Sequence, residues 1–272
     1  MPDVLTPARR RLVVTIGLVV AVVAVVALTV AVVHRPSSQP PPQQDALPPV
    51  VIVPGYGGNT TGLSVLVAAL EKDGRSTKVV ELGAASVDDL NLQAGMVDDA
   101  VEDALAESGG TKVDIVSFSA GGIAVRLWMD AHDGASTARR VVTLSAPNHG
   151  TEVSPATTGI SGETCPTACH QLLVGSDLMR SLADHDRAPA GPDWVSMWTD
   201  QDKVVVPPTS AKLDGALNFS VQSICPDLTV AHLGMTANPV VVAMVQEELG
   251  SATPTRPDSS VCKIRPTSTP SP

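Results

Sequence analysis

Between Pro49 and Gly250, short dense runs of apolar residues alternate with longer stretches in which apolar positions recur every three or four residues. The runs Val50 to Val53, Lys78 to Leu82, Val113 to Phe118, Val141 to Ser145, Val195 to Thr199 and Asn218 to Val221 are short and rich in valine, which predicts strands. Gly62 to Lys72, Leu90 to Glu107, Ala120 to His132, Ser176 to Ala183 and Asn238 to Leu249 carry the helical spacing. Parallel strands need crossover connections, and each interval here is long enough to hold one. The expected fold class is α/β, a mostly parallel sheet with helices on both faces. Such sheets carry their functional groups on loops beyond the carboxyl ends of the strands, so the residues after each strand are the ones to search.

The pattern changes at both ends. Residues 1–11 close with Arg9-Arg10-Arg11, and residues 12–33 form an uninterrupted apolar run. At helical rise that run crosses a bilayer core of about 30 Å. Its length favours a retained transmembrane anchor, with a cleaved signal ending near Thr29-Val30-Ala31 as the alternative. Positive charge stays on the cytoplasmic side, so the arginines predict an inside N-terminus and a catalytic-sized domain outside the cytoplasm, membrane-bound or, after cleavage, secreted. Residues 34–48 are dominated by Pro, Gln and Ser and predict an extended spacer, residues 49–250 the folded domain, and residues 251–272 a Pro-, Ser- and Thr-rich tail held through Cys262.

Composition narrows the function classes. A chain of 272 residues with 43% hydrophobic and 17% charged content belongs to the globular class. The net charge is −10 and the arginines cluster near the ends, so the centre has no basic stripe and nucleic acid is not expected as a partner. Aromatic residues make up only 2%, which leaves the core to aliphatic side chains and argues against stacking platforms. The four cysteines, Cys165, Cys169, Cys225 and Cys262, all lie in the exported part, where disulfides persist. Pairing Cys165 with Cys169 closes a small loop and leaves Cys225 to pin Cys262, while the other two pairings stay open. Metal binding is the rival reading, but the spacings are irregular and only His170 lies near the first pair.

The chemistry starts at Val116-Ser117-Phe118-Ser119-Ala120-Gly121-Gly122. An apolar strand that ends in Ser-x-Ser-x-Gly and opens a helix places Ser119 on a sharp strand-to-helix turn with its hydroxyl exposed. After the first strand, Pro54-Gly55-Tyr56-Gly57-Gly58 is a flexible turn able to aim the Tyr56 N–H inward; with the Ala120 N–H it would form an oxyanion hole. A glycine-rich phosphate cradle is the weaker reading, since no Lys-Ser/Thr follows. After the fifth strand, Asp200-Gln201-Asp202-Lys203-Val204-Val205 offers two carboxylates; Asp202, beside the apolar Val204 to Pro207 segment, is the expected acid, and Asp200 the turn residue. In Leu228-Thr229-Val230-Ala231-His232-Leu233-Gly234, His232 fits a general base. His149 competes because it follows a strand, but it precedes any usable acid, whereas Ser119, Asp202 and His232 fall in the Ser, acid, His order of one hydrolase class. No cofactor and no metal are expected.

These motifs resemble the secreted lipases and esterases of the α/β-hydrolase superfamily, in particular a compact bacterial, triacylglycerol lipase-like group. The resemblance rests on Ser117-Phe118-Ser119-Ala120-Gly121, Asp202-Lys203-Val204-Val205 and Ala231-His232-Leu233-Gly234. Leu144 to Thr151 is similar to that group's loop after the strand following the elbow, where the histidine is not the base, and Cys165 to Ser176 is similar to its small disulfide loop. Two departures stand out: Ser117 occupies the elbow's first glycine position, and Pro54-Gly55 stands where the oxyanion loop usually begins His-Gly. The resemblance implies a serine esterase or lipase acting on short to medium acyl chains, with an ester or lipid as substrate and the membrane as partner through the N-terminal helix. The stretch after Thr151 is too short for a large lid, so an open site is expected. A thioesterase, acyltransferase or amidase on the same residues, or a silent lipid-binding envelope protein of this fold, are the alternatives.

Overall fold

The structure is a computed structural model that describes residues 47–153, 165–183, 187–250 and 252–264. Every described residue belongs to one compact unit within Pro42–Pro272. The apolar run 12–33, most of the spacer and the residues after Val153 that bear on a lid lie outside the described residues. Among the described residues no helix is long and apolar enough to cross a membrane.

Six strands form one sheet in the order β2-β1-β3-β4-β5-β6: β1 (Val50–Val53), β2 (Thr77–Val79), β3 (Val113–Phe118), β4 (Ala138–Leu144), β5 (Asp193–Trp198) and β6 (Leu217–Ser220). All five neighbouring pairs are parallel. The helices are α1 (Ser64–Lys72), α2 (Leu90–Ser108), α3 (Ala120–Ala131), α4 (Gly134–Thr137), α5 (Thr167–Gln171), α6 (Asp177–Ala183) and α7 (Pro239–Glu248).

The sheet is buried on both sides because its side chains alternate between two cores. Val50, Ile52, Val116, Val142, Val195 and Met197 face Leu66 and Leu70 of α1 and the valines of α7. Val51, Val53, Val113, Ile115 and Val141 face Val97 and Val101 of α2 and Val125 and Trp128 of α3. This two-sided cover is why the strands read as continuous apolar runs instead of alternating ones.

Element boundaries differ from the sequence expectation where burial and strand pairing part company. The run Lys78 to Leu82 pairs only as Thr77–Val79, plus one bond from the Val80 N–H to the Ile52 carbonyl. Val80 and Leu82 are buried against the α2 side after the chain has left the sheet, so hydrophobicity overstated the strand. Strand β4 starts at Ala138, three residues before the expected Val141, because Arg139 and Arg140 sit at the sheet's lower end and hide the strand behind charge. It stops at Leu144, since Ser145 has a positive φ of 50°. Helices α4 and α5, of four and five residues, are too short to carry a period.

That lower end, opposite the elbow, is an arginine clasp. Asp114, fully buried, accepts from Arg75 and Arg139. Arg75 also donates to the Pro48 and Leu249 carbonyls, and Arg140 to the carbonyls of Glu248, Gly250 and Ala252. Three cations thus satisfy the carbonyls at the end of α7, where the helix dipole favours them. Glu248 lies among them with 1% of its surface exposed, and neither carboxyl oxygen has a hydrogen-bond partner among the described residues. Burial, aided by the charge of Glu247 and opposed by Arg140, pushes its pKa up to about 7. Between the ordinary carboxylate value of 4.5 and about 7, the folded chain therefore holds a proton that the unfolded chain releases, and stability falls as pH rises through that window. Glu248→Gln is expected to be stabilising by about 1–2 kcal/mol at pH 8, after allowing for solvent screening, and nearly neutral at pH 4. Thermal unfolding at both pH values checks this; an equal effect at the two would contradict it.

Candidate active site

Ser119 stands between β3 and α3 with φ 52° and ψ −125°, outside the regions ordinary for a residue with a Cβ. Such a conformation costs about 1–3 kcal/mol and persists only where its surroundings enforce it. Here the enforcement is close packing. A Cβ on Gly121 would run into the Pro54 carbonyl oxygen, and one on Gly122 into the Cβ of Ala146. The Ser119 N–H donates to the Leu144 carbonyl at 2.8 Å and the Ser119 carbonyl accepts from the Gly122 N–H at 2.9 Å. Ser117, in the first elbow position, is fully buried, and its Oγ lies 3.5 Å, ordinary contact distance, from where a Cβ at 122 would be.

The loop after β1 closes on the elbow. A Cβ on Gly55 would lie 3.0 Å from both the Phe118 ring and the Ser119 Cβ, so this glycine lets the backbone approach the hydroxyl. Tyr56 follows and shares a narrow cleft with Ser119. Ala120 is the first residue of α3, where the N–H has no acceptor within the helix. Tyr56 and Ala120, the residues expected to supply the oxyanion donors, thus both border Ser119.

His232, 3% exposed, opens the short 3-10 turn His232–Gly234. Its Nε2 lies 3.0 Å from the Ser119 Oγ and its Nδ1 2.7 Å from the Asp202 Oδ2. Asp202 is also 3% exposed, and its Oδ1 accepts the N–H groups of Val204 at 2.9 Å and Val205 at 2.8 Å. An ionised carboxylate only accepts, so Nδ1 carries the imidazole proton and Nε2 is left as the acceptor for the serine hydroxyl. The Phe118 ring, 4.9 Å from the imidazole and tilted by 41°, covers the histidine.

The two loops that carry Asp202 and His232 are tied together. Thr199 Oγ1 donates to the Val230 carbonyl at 2.6 Å and accepts from Gln222 Nε2 at 3.0 Å. Gln201 Oε1 accepts from the Val230 N–H at 3.1 Å. Asp200, by contrast, accepts from Trp198 Nε1 at 3.1 Å and from the Ser220 Oγ at 2.8 Å, a turn-holding role apart from the imidazole. His149 binds the Ser210 carbonyl through Nδ1 at 3.0 Å, and His132 pairs with Asp98 at 2.9 Å.

The cleft in front of Ser119 and His232 is lined by Tyr56, Phe118, Pro147, Thr151, Leu172, Val204, Val205 and Leu233. The sequence marked several of the segments involved but not Thr151, Leu172 or Leu233 as cleft residues, because which side chain of a loop faces inward is set by tertiary packing. Leu172 follows α5, whose start is stapled by the Cys165–Cys169 disulfide, and Cys225–Cys262 fastens the turn Ser259–Lys263 to the core. Both expected pairings are the ones formed.

The chain's fold is similar to that of Aspergillus fumigatus lipase B, with 21% identity and a TM-score of 0.67 over 84% of this chain; the chain spans 59% of that lipase's length. It is also similar to mature Bacillus licheniformis lipase BlEst2, with 20% identity and a TM-score of 0.62 over 75% of this chain and 93% of that one. No curated protein matches the sequence. The palmitoyl protein thioesterase family model matches residues 49–204, more than half of the chain and all of the stretch from β1 through the elbow to the acid loop. The chain belongs to the palmitoyl protein thioesterase family.

Proposed function

We propose that the chain is a serine hydrolase of acyl esters, with Ser119 as nucleophile, His232 as general base and Asp202 as the carboxylate that orients the imidazole. The observation that carries this is the buried row from Asp202 through His232 to a Ser119 Oγ held on a strained turn. His232 Nε2 takes the hydroxyl proton as Oγ attacks the acyl carbonyl, and the Tyr56 and Ala120 N–H groups receive the developing oxyanion. The protonated imidazole then hands its proton to the leaving group, and water, activated by the same nitrogen, releases the acid.

Family membership supports a second substrate, the acyl thioester, because the same steps serve a thiolate leaving group. The apolar lining of the cleft suits an aliphatic acyl chain of short to medium length. The test is a graded acyl series offered to the folded protein both as oxygen esters and as thioesters. Turnover of matched pairs supports the reading and ranks the leaving groups; no turnover of either series would sink it.

We also propose the organisation in which residues 12–33 anchor the chain and residues 49–250 act outside the cytoplasm. Protease added to intact cells is expected to remove the domain while an N-terminal tag survives. A protected domain would refute this topology.

A further inference from the structure

Thr151 sits where three segments of the site meet, and it is 3% exposed. Its backbone N–H donates to the Leu172 carbonyl at 2.8 Å, and its carbonyl accepts from the Val174 N–H at 3.1 Å, which fixes the cleft wall that follows the Cys165–Cys169 loop. Its hydroxyl reaches the other way. Oγ1 donates to the Val204 carbonyl at 2.8 Å and accepts from the Val206 N–H at 3.1 Å and the Val153 N–H at 3.2 Å. Val204 and Val205 are the residues whose N–H groups hold the Asp202 Oδ1. One hydroxyl therefore grips both the peptide before and the peptide after Val205, while the same residue pins the wall that carries Leu172.

Thr199, Gln201 and Gln222 fix the other end of the acid loop against the histidine loop. Beyond the loop's own bonds to Asp202, the Val204 to Val206 peptides are held, among the described residues, by Thr151 and by a backbone bond from the Glu152 N–H to the Val206 carbonyl at 2.8 Å. We infer that Thr151 is a positioning residue for hydrolysis, one that holds the acid loop so that Asp202 Oδ2 stays in line with His232 and that locks this loop to the Leu172 wall of the cleft. The inference rests on the assignment of Ser119, His232 and Asp202 made above.

Threonine suits the task for two separable reasons. The hydroxyl supplies one donor and two acceptor positions to peptides of the acid loop and of its own loop, and the β-branched carbon restricts χ1 so that the hydroxyl is aimed before a substrate arrives. Valine keeps the branch and the volume but offers no hydrogen bond, leaving the Val206 N–H and the Val204 carbonyl without this partner. Serine keeps the hydroxyl and loses only a methyl group. Small displacements of a catalytic group cost rate more than binding, so the expected signature is in kcat.

The experiment compares Thr151→Val and Thr151→Ser with the parent protein on one acyl ester. It also records the downfield proton resonance of the His232 Nδ1–H in each. Thr151→Val is expected to lower kcat about 10- to 100-fold with KM within about threefold, and to move or lose the resonance. Thr151→Ser is expected to keep kcat within about threefold and the resonance in place. If Thr151→Val does not fold, Thr151→Ala is read in the same way. A Thr151→Val protein with the parent kcat and an unmoved resonance overturns the inference, as does a Thr151→Ser protein that loses as much as Thr151→Val. Should the parent itself turn over no ester or thioester, the hydrolase assignment fails while the resonance still reports whether Thr151 holds the Asp202–His232 pair.

Discussion

Ser119→Ala is expected to lower kcat on an acyl ester by about four to six orders of magnitude while leaving the fold intact. The size follows from the role, since without Oγ no acyl-enzyme can form and only the oxyanion donors and substrate binding remain to assist water. Stability should hardly change, because alanine keeps the Cβ that is already accommodated at φ 52° and removes one hydroxyl from a site that is 8% exposed. The neighbouring Ser117 provides the control within the same Ser-Phe-Ser sequence. Its Oγ is buried with no hydrogen-bond partner among the described residues, so Ser117→Ala removes an unsatisfied polar group and should retain activity within about threefold. Steady-state rates, together with the position labelled by a phosphonate probe, distinguish the two serines. Full turnover by Ser119→Ala, or labelling at Ser117, would contradict the assignment.

The parts of this molecule that could be read from its sequence are those in which one local signal has one physical meaning. Strands β1 and β3 are bounded as expected because both faces are buried and because Pro54 ends the first run and Ser119, at φ 52°, the second. The elbow could be read because Ser119 lies between a buried strand and a glycine pair that only close packing explains. Legibility fails where the sheet's ends carry charge: Arg139 and Arg140 belong to β4, yet their partners, Asp114, Asp193 and the carbonyls beyond α7, lie far away along the chain. It fails again at the cleft, where Thr151 and Leu172 become neighbours only through a bond between loops some twenty residues apart. The choice between Asp200 and Asp202 illustrates the limit most directly. Both stand in one polar turn, and the sequence ranked them by their apolar neighbours; what separates them in space is which face of the turn each carboxyl leaves from.

That separation leads to the second large effect. Asp202→Asn is expected to lower kcat by about three to four orders of magnitude, against a change within about threefold for Asp200→Asn. The reason lies in the two oxygens of Asp202. Oδ1 already accepts the Val204 and Val205 N–H groups, so in the asparagine variant the amide oxygen must stay on that side and the amide nitrogen must face His232. A donor then confronts the ring nitrogen that normally donates, and the imidazole satisfies the contact by moving its proton to Nε2. With Nε2 protonated, the Ser119 hydroxyl loses its acceptor, and the base is disabled with scarcely an atom displaced. Asp200 has no such lever, because its partners are the Trp198 indole and the Ser220 hydroxyl, and an asparagine oxygen can go on accepting from either. Kinetics of the two variants on a single acyl ester decide the matter: equal losses would mean that the carboxylates act through the turn's stability, and a full-rate Asp202→Asn protein would mean that the imidazole is oriented by something other than this aspartate.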